Sequence, residues 1–259
     1  MFLLFLETLL VSLIFDSIGF IKVSYFTVVG YGISVACIGI FLLIVGDNIT
    51  FGLILSGILY IIYGLRLAIF LLIRDLKNEH YNLKMSEEKD NNKKVGILVK
   101  IMVWISCALL YTCQTSPFIF RLKSSDKDGV ITYIGIVLSF FGFLLETIAD
   151  FQKNNAKKNN PNRFVDSGLY KIVRCPNYLG ELLFWTGNFI SGLIYDGVFQ
   201  WIVASLGYIC LVLVMIYGTK KLEMRQNKSY GEDPDYQKYS KSTPILIPLL
   251  PLYSCVKKN

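Results

Sequence analysis

Arg174, Asn177, Tyr178 and Glu181 lie close together in the segment Asp-Ser-Gly-Leu-Tyr-Lys-Ile-Val-Arg-Cys-Pro-Asn-Tyr-Leu-Gly-Glu-Leu-Leu-Phe-Trp-Thr-Gly, residues 166–187. Pro176 suits the first position of a helix, where a missing N–H costs nothing. Asn177 and Glu181 then fall four residues apart on one helical face, and Arg174 stands just outside the free N–H groups of the first turn. A helix N-terminus beside a guanidinium attracts an anion, and a carboxylate and an amide on the same helix suit hydroxyls or a carboxamide.

Two further pairs have helical spacing. Glu146 and Asp150 are four apart at the end of an apolar stretch, and Tyr63 and Arg66 are three apart near the end of another. Each pair alone has a plain explanation: an acidic helix end bonded to Lys153 or Lys157, and an arginine snorkelling to the interface. A charge inside a membrane span costs at least about 2.5 kcal/mol near its centre, so each is also a functional candidate. All eight residues belong at one depth, the cytoplasmic end of their helices. A shared pocket there would bring a soluble, charged cofactor to a lipophilic substrate.

The elements that must carry these residues follow from composition. The chain has 259 residues, of which 54% are hydrophobic and 17% charged, the profile of a polytopic membrane protein. Apolar stretches of the required length, about 20 residues, run over 2–20, 23–45, 49–73, 97–116, 129–149, 178–195 and 198–218. The expected fold is all-α, a single membrane domain over 1–259 with about seven transmembrane helices. The first stretch carries Glu7 and Asp16, and the last two are parted only by Tyr195, Asp196 and Gly197, so these could instead be re-entrant or interfacial. The opening stretch lacks a basic leader and a small-residue cleavage site, and it reads as a retained helix rather than a signal peptide.

Lys and Arg set the expected orientation. Placing loops 21–22, 74–94 and 150–177 and the C-terminal tail on the cytoplasmic side gives that side 21 of the 26, against Arg121, Lys123 and Lys127 opposite. The N-terminus is then outside and the C-terminus cytoplasmic. This sidedness accounts for most of the net charge of +7, and no nucleic-acid motif accompanies it. The six cysteines form no CxxC pair and have no histidine partners, so reduced thiols and no metal are expected. His80 is the only histidine and lies in a polar connector over 76–94, whose start continues the preceding helix. The loop 150–165 is rich in Lys, Asn and Arg, as expected of an anchor on the positive side. The prolines of residues 243–251 exclude an eighth spanning helix and predict an extended segment at the membrane surface. No internal repeat is visible, which argues against a transporter of duplicated halves.

The run Ser-Gly-Leu-Tyr-Lys-Ile-Val-Arg-Cys-Pro-Asn-Tyr-Leu-Gly-Glu resembles the signature of the steroid 5-alpha-reductase-like membrane family, and of the related isoprenylcysteine carboxyl methyltransferases. Three other segments resemble the reductase side, especially its microbial members: Tyr-Gly-Leu-Arg-Leu at 63–67, Glu-Thr-Ile-Ala-Asp-Phe-Gln-Lys at 146–153, and Tyr-Gly-Glu-Asp-Pro-Asp-Tyr-Gln-Lys-Tyr followed by Thr-Pro-Ile-Leu-Ile-Pro. The resemblance covers residues 50–253, with the cofactor-pocket core at 146–243. It implies NADPH in the cytoplasmic cavity, with Asp150, Asn177, Tyr178, Glu181 and Arg174 around it and Arg66 near the nicotinamide half; Glu146 is expected in another wall of the same pocket, as a further cofactor-binding residue. Tyr63 matches the position that polarises a substrate carbonyl. The implied reaction is hydride delivery to the β-carbon of a lipophilic enone, steroid- or isoprenoid-like, with Tyr63 stabilising the enolate oxygen.

Two departures bear on this. Cys175 stands where these families usually have His, as a passive replacement rather than a nucleophile, and no counterpart is found for the glutamate that pairs with the tyrosine donor in steroid reductases. One rival is an S-adenosylmethionine-dependent methyltransferase of a lipid or prenyl-cysteine, disfavoured by the number of cations, since that cofactor brings no phosphates. Another is a non-catalytic membrane protein whose polar helix ends are anchors. The bilayer and a lipophilic small molecule are the expected partners. The expected location is the plasma membrane in a prokaryote or the endoplasmic reticulum in a eukaryote.

Overall fold

The computed structural model describes residues 1–77, 95–124, 128–193, 197–248 and 250–256. His80 and almost all of the 76–94 connector lie outside the described residues, as do Lys127, Tyr195 and Asp196. Among the described residues the regular elements are all helical: α1 Phe2–Asp16, α2 Val29–Val45, α3 Phe51–Lys77, α4 Ile97–Lys123, α5 Val130–Asn159, α6 Pro176–Ser191, α7 Val198–Tyr230 and α8 Pro234–Ser242, with short 3-10 turns at Ser17–Phe20, Val23–Tyr25 and Gly168–Lys171. Six spans, counting the turn after α1, are long and apolar enough to cross a membrane, and the chain is an integral membrane protein.

The stretch expected over 178–195 is the exception. It forms α6, 16 residues beginning at Pro176, about 24 Å at 1.5 Å per residue and short of a bilayer core of about 30 Å. By the same measure α7, with 33 residues, reaches about 50 Å and extends beyond that core. Helix α4 runs through Pro117 to Lys123 instead of stopping at residue 116. Proline removes the helical donor for the carbonyl four residues back, here Cys113, and the Asn188 amide donates to the next carbonyl, that of Gln114, at 2.8 Å.

The chain divides into two compact units, one comprising 1–136 and 188–208, the other 137–187 and 209–259.

In the first unit, α2 and α3 meet backbone to backbone. A Cβ on Gly64 would stand 2.3 Å from the Gly32 carbonyl oxygen, and one on Gly32 would stand 2.6 Å from the Gly64 carbonyl oxygen. Small residues at a crossing let membrane helices approach this closely, where packing must supply the attraction that water supplies elsewhere. The ends of this unit are fixed by charge. At one end Lys22 contacts Asp75 at 2.5 Å, and Tyr25 donates to the same carboxylate at 2.8 Å. The first basic loop and the end of α3 are therefore neighbours, as the sorting of Lys and Arg requires.

At the other end Asp128 accepts from the Gly52 N–H at 2.7 Å, the Thr50 hydroxyl at 2.9 Å and the Arg121 guanidinium at 3.0 Å. Thr50 also accepts from the Leu53 N–H, so α3 begins with a side-chain cap and a carboxylate beside its positive dipole end. Burial alone would raise the Asp128 carboxyl, but these three donors outweigh it and hold the carboxyl below its ordinary value. A carboxyl depressed in the folded state stabilises the protein above its unfolded value, about 3.9, and that contribution is lost as pH falls through the folded value. Thermal unfolding in detergent is thus expected to show a gap between wild type and Asp128→Asn at pH 7 that closes towards pH 3. A gap of equal size at both pH values would show that the charge of Asp128 contributes nothing.

Candidate functional site

Tyr63 and Arg66 belong to the first unit. They share a face of α3, with the Arg66 guanidinium 5.9 Å from the Tyr63 ring centroid. Tyr63 has no exposed surface, and its hydroxyl lies 3.3 Å from that of Tyr31 on α2. The other six candidates, Glu146, Asp150, Arg174, Asn177, Tyr178 and Glu181, belong to the second unit.

In the second unit, Glu146 sits where α5 crosses α6. A Cβ on Gly180 would stand 2.5 Å from the Glu146 backbone N and 2.8 Å from its Cβ, so glycine at 180 allows the crossing. Glu146 and Asp150 are both buried on α5. On α6, Asn177, Tyr178 and Glu181 are half-buried, and the Tyr178 ring lies over Gly218 of α7. The Asn177 side-chain oxygen is buried with no hydrogen-bond partner among the described residues, which leaves an acceptor for a bound group.

The segment leading into α6 is held from several sides. The Leu169 N–H donates to Gln152 Oε1 at 2.9 Å, Tyr170 donates to the Ala149 carbonyl, and Tyr239 of α8 donates to the Tyr170 carbonyl at 2.7 Å. Phe164 stacks on Tyr239 and meets Tyr236 edge to face. Burial pushes the hydroxyls of Tyr170 and Tyr239 up, so both remain protonated donors.

Arg174 has a different setting from the one its position suggests. It is 2% exposed and pairs with Glu223 of α7 at 2.9 Å, and it also donates to the Tyr253 carbonyl. Glu223 accepts in turn from the Cys255 N–H at 2.8 Å. The backbone N–H groups of Arg174 and Cys175 donate to the carbonyls of Pro244 and Ile245 at 2.9 and 3.0 Å. The proline-rich tail therefore packs against the entrance of α6, in bends and turns rather than as a regular strand, and takes up the two N–H groups that precede the helix. Glu223 was not among the candidates. Its signal is the spacing Thr219 to Glu223, four residues apart, both buried on one face of α7.

Cys175 is 1% exposed and packs with Ile245 and Leu246. Burial pushes its thiol up to about 12, against the opposing pull of Lys153 and Arg174. Alkylation of the folded protein at pH 8 is expected to leave Cys175 unmodified until denaturant is added. Rapid labelling at this position, read by peptide mass, would contradict the passive role. None of the six cysteines forms a disulfide, and no group of three or more His, Cys, Asp or Glu among the described residues is placed to hold a metal ion.

The chain is similar to a very-long-chain enoyl-CoA reductase of Dictyostelium discoideum, with 31% identity over 149 residues, 56% of this chain and 46% of that protein. It thus spans about half the length of that relative. No solved structure matches it. The match that covers most of the chain is a family model extending over residues 19–243, from the end of the first span through α8, and the chain belongs to that family, described as "Protein of unknown function (DUF1295)".

Proposed function

We propose that this protein is an NADPH-dependent membrane reductase that saturates a carbon–carbon double bond conjugated to a carbonyl in a lipophilic substrate. The observation that carries the reading is the similarity to a protein named for enoyl-CoA reduction. An enoyl thioester and an enone present the same acceptor, a β-carbon whose electron pair can retreat onto an oxygen. The steroid- or isoprenoid-like substrates implied by the signature and a long-chain 2-enoyl thioester are therefore variants of one reaction class.

The residues suit such a cofactor. The Asn177 amide offers an acceptor and donors, and Glu146, Asp150 and Glu181 offer acceptors for ribose hydroxyls or a carboxamide. Arg174, committed to Glu223, is assigned to holding the entrance of α6 in shape. When bound, the cofactor would supply a hydride for the β-carbon, and the resulting enolate takes a solvent-derived proton at the α-carbon to complete the reduction. Tyr63 holds its hydroxyl where the substrate oxygen gains charge and donates a hydrogen bond to it. In a site screened from water that bond is far stronger than in solvent, because nothing competes for the oxygen.

Commitment of Arg174 to Glu223 also removes part of the cation argument against a methyltransferase, so the cofactor must be tested directly. Binding to the purified protein in detergent, compared among NADPH, NADH and S-adenosylmethionine, is expected to favour NADPH. NADPH oxidation is expected on adding a long-chain trans-2-enoyl thioester. Binding of S-adenosylmethionine with none of NADPH would overturn the reading.

A further inference from the structure

Two stretches of the first unit share one pattern, Tyr-Gly-x-x-x-Ala, at Tyr31–Ala36 on α2 and Tyr63–Ala68 on α3. The glycines face each other at the crossing. A Cβ on Gly64 would meet Gly32 O and Ala36 N, and a Cβ on Gly32 would meet Gly64 O and Ala68 N. This reciprocal contact sets the register of the two helices at the backbone, and the tyrosine before each glycine is carried to the same level. There the two hydroxyls are 3.3 Å apart, with the rings edge to face at 76° and centroids 6.3 Å apart. Tyr31 is held in turn by Tyr111 of α4, ring centroids 4.9 Å apart, and Tyr111 is fixed by donating to the Phe26 carbonyl at 2.6 Å. All three tyrosines are buried.

We propose that Tyr31 is a positioning residue for Tyr63, aiming and polarising the hydroxyl that donates to the substrate oxygen. This rests on the reading of Tyr63 as that donor. A phenol can donate one hydrogen bond while accepting another, so Tyr31 donating to Tyr63 leaves the Tyr63 proton directed away from Tyr31, and the two bonds strengthen each other. The separation of 3.3 Å is long for an O–H···O bond, as is common for catalytic hydrogen bonds before substrate is held. No bond to Tyr31 forms or breaks in the reaction. Negative charge appears on the substrate oxygen when the hydride reaches the β-carbon, and Tyr31 shares in stabilising it through Tyr63.

The test places 3-fluorotyrosine at position 63 and reads its fluorine resonance in the detergent-purified protein without cofactor, in wild type and in Tyr31→Phe. Tyr60→Phe serves as control, since Tyr60 is a buried tyrosine of α3 bonded to Asn188 instead. Tyr31→Phe is expected to shift the resonance and Tyr60→Phe to leave it in place. With NADPH and a long-chain trans-2-enoyl thioester, Tyr31→Phe is expected to lower kcat about tenfold or more with KM little changed. Added to Tyr63→Phe, it should cost almost nothing further. If Tyr31→Phe folds poorly, 2,3-difluorotyrosine at position 31 keeps the ring and hydroxyl but makes the hydroxyl more acidic, and the pH profile of kcat should move. An unmoved resonance, an unmoved pH profile or additive losses in the double variant overturn the proposal. A wild-type protein that neither binds NADPH nor reduces the thioester overturns the parent reading instead, and that outcome is visible without any variant.

Discussion

Tyr63→Phe is expected to lower kcat for reduction of a 2-enoyl thioester by about 10²- to 10³-fold, roughly 3–4 kcal/mol of transition-state stabilisation, while NADPH affinity stays within about twofold. The reason is the timing of the charge. A conjugated carbonyl oxygen is weakly basic in the ground state and becomes an enolate oxygen only as hydride arrives, so a donor aimed at it acts on the transition state far more than on binding. Fold stability should change little, because the ring stays and the lost hydroxyl contact contributes about 1 kcal/mol. Matched stopped-flow rates and cofactor titrations would separate these effects. If Tyr63→Phe weakened NADPH binding as much as it slowed reduction, Tyr63 would belong to the cofactor wall and not to the donor role.

Glu223→Ala is expected to destabilise the second unit by about 3–5 kcal/mol, because it strands a buried guanidinium and removes the acceptor of the Cys255 N–H. Arg174 and Glu223 are both nearly solvent-free, with side chains 1% and 4% exposed, so salt should screen the pair little. Replacing both partners with apolar residues of similar size, Arg174→Met with Glu223→Leu, should recover most of the loss, since no unpaired charge remains. Thermal unfolding in detergent measures the first effect, and hydrogen exchange at the Arg174, Cys175 and Cys255 amides locates it. The double variant also asks whether the arginine serves the cofactor. Retained NADPH affinity would assign Arg174 to structure alone. If Glu223→Ala unfolded like wild type, the ion pair would be incidental.

The candidate residues fared differently for reasons visible in their spacing. Tyr63 and Arg66, or Asn177 and Glu181, are three and four residues apart, so helical geometry alone places each pair on a common face. Arg174 shows the limit of that reasoning. The helix entrance beside it was evident, but Glu223 lies 49 positions on and Tyr253 lies 79, and nothing local announces that they converge on one guanidinium. Arginine suits an anion in either case, and α7 supplies a carboxylate of the protein's own, with the tail adding the Tyr253 carbonyl. The Tyr-Gly-x-x-x-Ala pattern was legible in principle. It is only six residues long, and its meaning emerges when the two glycines are seen to touch.

By itself the sequence determined the all-helical membrane architecture, because the cost of burying a backbone without internal hydrogen bonds leaves long apolar segments no other form. It also determined the start of α6 at Pro176 and the sharing of faces within each helix. The tertiary structure decided what depends on contacts between distant segments. It shortened α6 below a full span, folded the tail over its entrance, took Arg174 into an ion pair and brought Tyr31 to the hydroxyl of Tyr63. Those choices turn on backbone approach at single glycines and on pairing of buried charges, and neither leaves a periodic trace in the sequence.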